Sequence, residues 1–339
     1  MTYQLIYQGS VKNLYKSQEN ILFEFSDRYS LFDWGEMPDH LEQKGEALAL
    51  MGALFFKEVE KISIPHHFLS LADSSGKDLS WQACRHLKVK SINVHRPPIR
   101  EGRYDYSFYQ TRPVETLVPL EVIFRFGAGK GSSLVSRVQE QATLLSQWGL
   151  THLETDKLWD LPLIDFSTKL ERIDRYLTHT EAKKIAGLSQ TEFELLIDQT
   201  TKVAFMLKSI FRELGLELWD GKLEWSFLPG EERKFMLVDS IGLDELRVQK
   251  KESSLSKEFL REFYRQTSWY QAVTNAKKKA LGTDQDFKEL CELTPPALSS
   301  KELERARQLY LGFTNDLSRA LLGKTFFDES YSLKTWGQN

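Results

Sequence analysis

The chain has 339 residues, 27% of them charged and 41% hydrophobic, enough for two domains or one large one with a full-sized core. Its formal net charge of −3 leaves no sequence-wide basic field for a nucleic acid, and no apolar run approaches the ~20 residues of a membrane helix. Two cysteines, Cys84 and Cys291, stand far apart without metal spacing, which points to free thiols in a reduced, cytoplasmic setting.

The first elements are β-rich. Tyr3, Leu5 and Tyr7 alternate, Gly9 interrupts, and Ile21, Phe23 and Phe25 alternate again after a polar turn, so strand, glycine turn, strand, turn and strand are expected. The stretch SDRYSLFDWGEMPDHLEQKG (26–45) follows neither period and reads as a loop or as part of a site. Residues 45–61 carry Leu48, Met51, Leu54, Phe55 and Val59 near one helical face. The His66–His67 pair after Pro65 has no partner at metal spacing and reads as a surface loop. Two proline turn signals and many aromatics make 97–116 a long surface excursion.

LVPLEVIFRF is a short apolar strand. Phe193, Leu196, Ile197, Ala204, Leu207, Phe211 and Leu214 mark an amphipathic helix closed by Gly215. Two alternating runs around a Pro-Gly turn, LELWDGKLEWSFLPGEERKFMLVDSIG, form an antiparallel hairpin. The tail from Ser256 is helical, with Ser299 or Ser300 as N-cap of its last helix.

Several stretches could carry chemistry. In GSVKNLY, Gly9 would let the backbone approach a phosphate and Lys12 would add a point charge; a plain hairpin glycine beside a surface lysine reads the same way. FGAGKGSSLVSR offers three glycines, Lys130, two serines and Arg137 as an anion nest, or a flexible loop. In the hairpin, a register with Trp225 facing Val238 and Glu224 facing Asp239 places two carboxylates ~5 Å apart. That is costly unless a cation lies between them, and Mg²⁺ accepts one or two carboxylates plus phosphate oxygens. Lys222 shares the face of Glu224, and a solvated hairpin face is the plainer alternative. Ser167, Thr168 and Lys169 follow an apolar run, and Asp244 and Arg247 lie just beyond the hairpin.

Taken in order, these stretches resemble one family, the phosphoribosylaminoimidazole-succinocarboxamide synthases, also called SAICAR synthetases. Gly9, Lys12 and Tyr15 stand where that family has its Gly-Lys-x-Lys-x-x-Tyr loop. Ser26, Asp27, Arg28, Ser30, Phe32 and Asp33 match Ser-Asp-Arg-x-Ser-x-Phe-Asp, and Lys44-Gly45 matches its Lys-Gly. The strand ending in Arg125, the loop with Ser133, Leu134 and Arg137, the Ser-Thr-Lys ending at Lys169, and the strand with Lys222 and Glu224 follow. Asp239 falls on the metal-binding Asp. The chain departs at Ser10, at Phe126, at 239–247, where an acidic residue and two serines are missing, at the His-Asp-Glu-Asn segment, for which Asp174 is the candidate remnant, and at the insertion 97–116.

The resemblance implies an α+β, two-part ATP-binding fold: a β-rich nucleotide-binding domain over 1–116, and an α/β substrate- and metal-binding domain with C-terminal helices over 117–339. It implies an ATP-dependent carboxylate–amine ligase of purine biosynthesis, joining L-aspartate to carboxyaminoimidazole ribonucleotide through an acyl phosphate. Gly9, Lys12 and Lys222 would bind ATP, with Lys12 and Lys222 catalytic. Glu224 and Asp239 would hold Mg²⁺. Asp33, Lys44, Arg125, Ser133, Arg137, Lys169, Asp244 and Arg247 would bind substrate. No nucleic acid or membrane partner is implied. A divergent ligase or small-molecule kinase on the same scaffold is the alternative, and a non-catalytic nucleotide-binding protein a third.

Overall fold

A computed structural model describes residues 2–129, 132–230, 232–251, 253–280 and 285–336. Lys130 of the expected anion nest lies outside the described residues. Helices and antiparallel sheets are mixed, as expected of an α+β fold. Contacts divide the chain into two compact units, Met1–Leu54 with Leu69–Val89 and Glu252–Asn339, and Phe55–Phe68 with Lys90–Lys251. Each is discontinuous in sequence, and the C-terminal helices cluster with the N-terminal segment.

The first unit is built on a sheet in the order Gln4–Gln8, Lys12–Lys16, Asn20–Phe25, His86–Lys90, Phe68–Ala72, Asp78–Leu79. Leu22, Phe23 and Phe25 are buried, and Leu48, Leu50, Met51 and Leu54 of the helix Lys44–Lys61 complete an apolar core. Its C-terminal segment forms the helices Lys257–Arg265, Ser268–Ala280 and Ser300–Leu322. Ser299 is the N-cap of the last, in a reciprocal capping box with Glu302. Cys84 and Cys291 are free.

In the second unit the strands run in the order Tyr176–Leu177, Leu158–Thr168, Leu117–Gly127, Glu217–Phe227, Leu246–Lys250, and Phe235–Val238 pairs with Glu217–Phe227. The helix Gln190–Glu213 starts at a capping box, Ser189 with Glu192, and buries Phe193, Leu196, Val203, Ala204, Leu207 and Phe211. It packs on the three central strands, with Phe193 against Phe166 and Phe205 against Phe126.

Two expectations are corrected here. The hairpin is present, but its register is Glu224 opposite Val238 and Trp225 opposite Leu237, one residue from the expected pairing. Asp239 is therefore not a cross-strand neighbour of Glu224. It follows the last pair with a left-handed φ of 67°, which ends the strand alternation there. His66–His67 is not a surface loop either. The segment bridges in parallel to the strand Phe235–Val238, and His67 is buried.

Candidate active site

The site in the second unit follows from strand alternation. The strand Leu117–Gly127 is buried along its whole length. Phe124 and Phe126 point to the aromatic core under the helix Gln190–Glu213. By the two-residue period, Glu121, Ile123 and Arg125 then share the opposite face. Cross-strand pairing extends that face into rows. Ser167, Glu121 and Glu224 form one, Asp165, Ile123 and Lys222 the next, and Leu163, Arg125, Asp220 and Arg247 the third.

Two charge clusters result. In the first, Lys222 Nζ lies 2.6 Å from Glu121 Oε1, and Lys169 Nζ lies 2.6 Å from Glu224 Oε1 and 3.3 Å from Glu121. Ser167 Oγ donates to Glu121 Oε2 at 3.1 Å. Burial pushes the Glu224 carboxyl up to about 7, the nearby Asp239 charge adds to the push, and the two lysines only partly oppose it. Burial alone would also raise Glu121, but Lys222 and Lys169 hold it below the ordinary carboxylate range. Burial pulls Lys169 down, yet Glu224, Glu121 and Asp239 together push it up, so its ammonium is firmly charged. Three carboxylates thus face two lysines.

In the second cluster the balance is reversed. Arg125, 3% exposed, contacts Asp165 at 3.2 Å and Asp220 at 3.6 Å. Arg247 Nη1 lies 2.6 Å from Asp220 Oδ2, and Arg137 pairs with Asp165 while its guanidinium lies 3.8 Å over the Tyr176 ring. The Tyr176 and Ser133 hydroxyls are 2.7 Å apart. Three guanidiniums thus face two carboxylates. The first set has negative charge to offer a cation, and the second has positive charge to offer an anion such as a phosphate or carboxylate.

Glu224 and Asp239 fit a magnesium ion on this ground: a buried carboxyl raised in part by the charge of a half-buried neighbour is relieved by a hard cation. No group of three or more His, Cys, Asp or Glu arranged for a metal occurs among the described residues. Two carboxylates with phosphate and water making up the shell is the usual magnesium–nucleotide arrangement.

Asp244, Gly9, Lys12, Lys44 and Asp33 complete the expected set. Asp244 is half-buried in the turn before Leu246–Lys250, where the Glu245 N–H donates to Gly242 O. In the first unit, the Gly9 N–H donates to Lys12 O at 2.9 Å, and a Cβ at Gly9 would sit 2.7 Å from that oxygen, so the turn requires glycine. Arg28 Nη2 donates to Gly9 O at 3.0 Å and to Asn13 Oδ1 at 2.8 Å. Lys12 Nζ lies 4.7 Å over Phe23. Lys44 is 1% exposed, donates to Arg28 O at 3.3 Å and lies 5.1 Å over Tyr310. The Asp33 carboxylate, 86% exposed, pairs with Lys277 at 2.6 Å. Glu121, Asp165, Asp220 and Tyr176 escaped the sequence reading. Glu121 and Arg125 carried a signal, two charges four apart in an apolar strand, hence on one face.

The chain is similar to known proteins in sequence and in fold. A sequence model of the family described as SAICAR synthetase matches residues 5–277. A chain from Archaeoglobus fulgidus, with the provisional name phosphoribosylaminoimidazole-succinocarboxamide synthase, is 39% identical over 331 residues, covering 94% of this chain and 95% of that one. The Thermoplasma acidophilum phosphoribosylaminoimidazole-succinocarboxamide synthase is 29% identical, covering 82% and 89%. Among solved structures, the fold is similar to SAICAR synthase from Saccharomyces cerevisiae complexed with SAICAR, with TM-score 0.65, 20% identity and 96% of each chain covered. It is also similar to a type-2 SAICAR synthetase in complex with ADP, with TM-score 0.55, 21% identity and 83% and 99% covered. The chain belongs to the SAICAR synthetase family.

Proposed function

We propose that this chain joins L-aspartate to the carboxylate of carboxyaminoimidazole ribonucleotide, consuming ATP and releasing ADP and phosphate, in the cytoplasm and without nucleic acid or membrane. The observation that carries the reading is the polar face of the central sheet, with a carboxylate-rich cluster beside an arginine-rich one. In this reading the substrate carboxylate oxygen attacks the γ-phosphorus and ADP leaves. The aspartate nitrogen then attacks the acyl carbon, loses a proton and expels phosphate.

Residues 1–116 carry the nucleotide loop, where Gly9 and Lys12 serve the ATP phosphates, together with Asp33 and Lys44, and 117–339 carry the other assigned residues. Lys222 neutralises migrating phosphoryl charge, and Lys169 fixes the carboxylates around it. Glu224 and Asp239 would hold magnesium, which would supply positive charge against the phosphates. Arg125, Arg137 and Arg247 grip the substrate's phosphate and carboxylate through their bidentate forks, with Ser133 beside them. Asp33, Lys44 and Asp244 complete the substrate set. A coupled ADP-release assay tests the reading against a panel of carboxylates and amines. ADP release that needs both L-aspartate and carboxyaminoimidazole ribonucleotide supports it; equal release with another pair overturns it.

A further inference from the structure

A metal-holding Asp239 needs its backbone fixed, and it stands one residue past the last ladder pair of the hairpin. The ladder with Glu217–Phe227 ends at the pair Glu224–Val238, and Asp239 follows in a left-handed conformation that a non-glycine residue adopts at a cost. The support comes from the other side. The Leu237 N–H donates to Pro65 O at 2.8 Å, and the His67 N–H donates back to Leu237 O at 3.0 Å. His67 O accepts from the Lys90 N–H at 2.8 Å, which ties this segment to a further stretch. The imidazole is 1% exposed and packs 5.3 Å from the Phe56 ring. Its Nε2 lies 2.7 Å from Asp239 O. A carbonyl oxygen only accepts, so Nε2 carries the proton and donates.

We propose that His67 is a positioning residue: its Nε2–H locks the left-handed Asp239 and so aims the Asp239 carboxylate at the Glu224–Lys169 cluster. The inference rests on the reading of Asp239 as a magnesium ligand. A histidine that acts through a backbone carbonyl differs from one that binds metal, and it explains why an adjacent His pair can matter without metal spacing.

The test uses the full chain with Mn²⁺ as a spin probe for the magnesium site, read by the electron paramagnetic resonance of free Mn²⁺ in the presence of ADP, alongside steady-state kinetics. His67→Phe keeps a ring against Phe56 and removes the donor. It should weaken Mn²⁺ binding ~10-fold or more, the usual effect of losing a group that orients a ligand, and lower kcat while KM for the purine carboxylate stays put. His67→Gln, whose amide N–H can reach the carbonyl, should recover most of both. His67→Asn, too short to reach it, replaces the phenylalanine variant if that one does not fold. Asp239→Asn is the control. If Asp239→Asn loses Mn²⁺ but His67→Phe binds it like the wild type, the positioning role is overturned. If Asp239→Asn itself binds Mn²⁺ normally, the ligand reading falls and takes the inference with it.

Discussion

Asp239 and Arg137 each belong to one of the two charge clusters, and each makes a separate prediction. Asp239→Asn removes one negative charge from a set in which three carboxylates face two lysines. Loss of one electrostatic contact at a developing charge costs ~2.7–4 kcal/mol in barrier, about 10²–10³ in kcat. Circular dichroism and melting should show an intact fold beside that loss; normal turnover would make Asp239 only a strand-end residue. Arg137 stacks on Tyr176 and pairs with Asp165. If it grips the substrate, Arg137→Ala should raise KM for the purine carboxylate roughly ten- to hundredfold, since a charge-assisted hydrogen bond contributes ~1.5–3 kcal/mol. KM for ATP should move far less. Arg137→Lys should also be impaired, because an ammonium lacks the planar fork. Equal shifts in both KM values would assign Arg137 to the nucleotide instead.

Elements were legible where their pattern was local. The helix Gln190–Glu213 carries its periodicity and both end signals in sequence, and the capping serine of Ser300–Leu322 could be narrowed to two residues. Ser299→Ala should remove the reciprocal cap with Glu302 and cost ~0.5–2 kcal/mol, measured by urea denaturation; no change would mean that the helix start is held by packing alone. What depends on pairing was harder. The hairpin register came out one residue off because turn residues 228–234 allow more than one closure, and a one-residue slip exchanges faces. Glu121 was hidden in a strand that reads as apolar, and the partners of Arg125 were hidden too, since neither the adjoining strand of Asp165 nor that of Asp220 is visible as a neighbour in sequence. The His67 contact with Asp239 joins residues 172 apart, and no spacing rule reaches that far.

At the scale of the whole molecule, buried titratable groups set the response to acid. Burial lowers His66, His86 and His179 below the ordinary histidine value. The unfolded chain then binds more protons, so this stability is complete above about pH 6.5 and is lost as pH falls through the lowered values. Glu224, pushed up to about 7, runs the other way: its contribution is complete below the ordinary glutamate range and fades as pH rises through about 7. His179 packs among Trp148, Phe166 and Phe193, so a phenylalanine can take its place. His179→Phe should shrink the drop in Tm between about pH 7.5 and about pH 5.5; an unchanged drop would remove His179 from the acid response.

The central claim, a ligase that passes through an acyl phosphate, is tested most directly by isotope transfer. Carboxyaminoimidazole ribonucleotide labelled with oxygen-18 in its carboxylate is turned over with ATP and L-aspartate, and the phosphate is read by phosphorus NMR. The account predicts one labelled oxygen in each phosphate released and one retained in each amide formed. Amide formed together with unlabelled phosphate would contradict it.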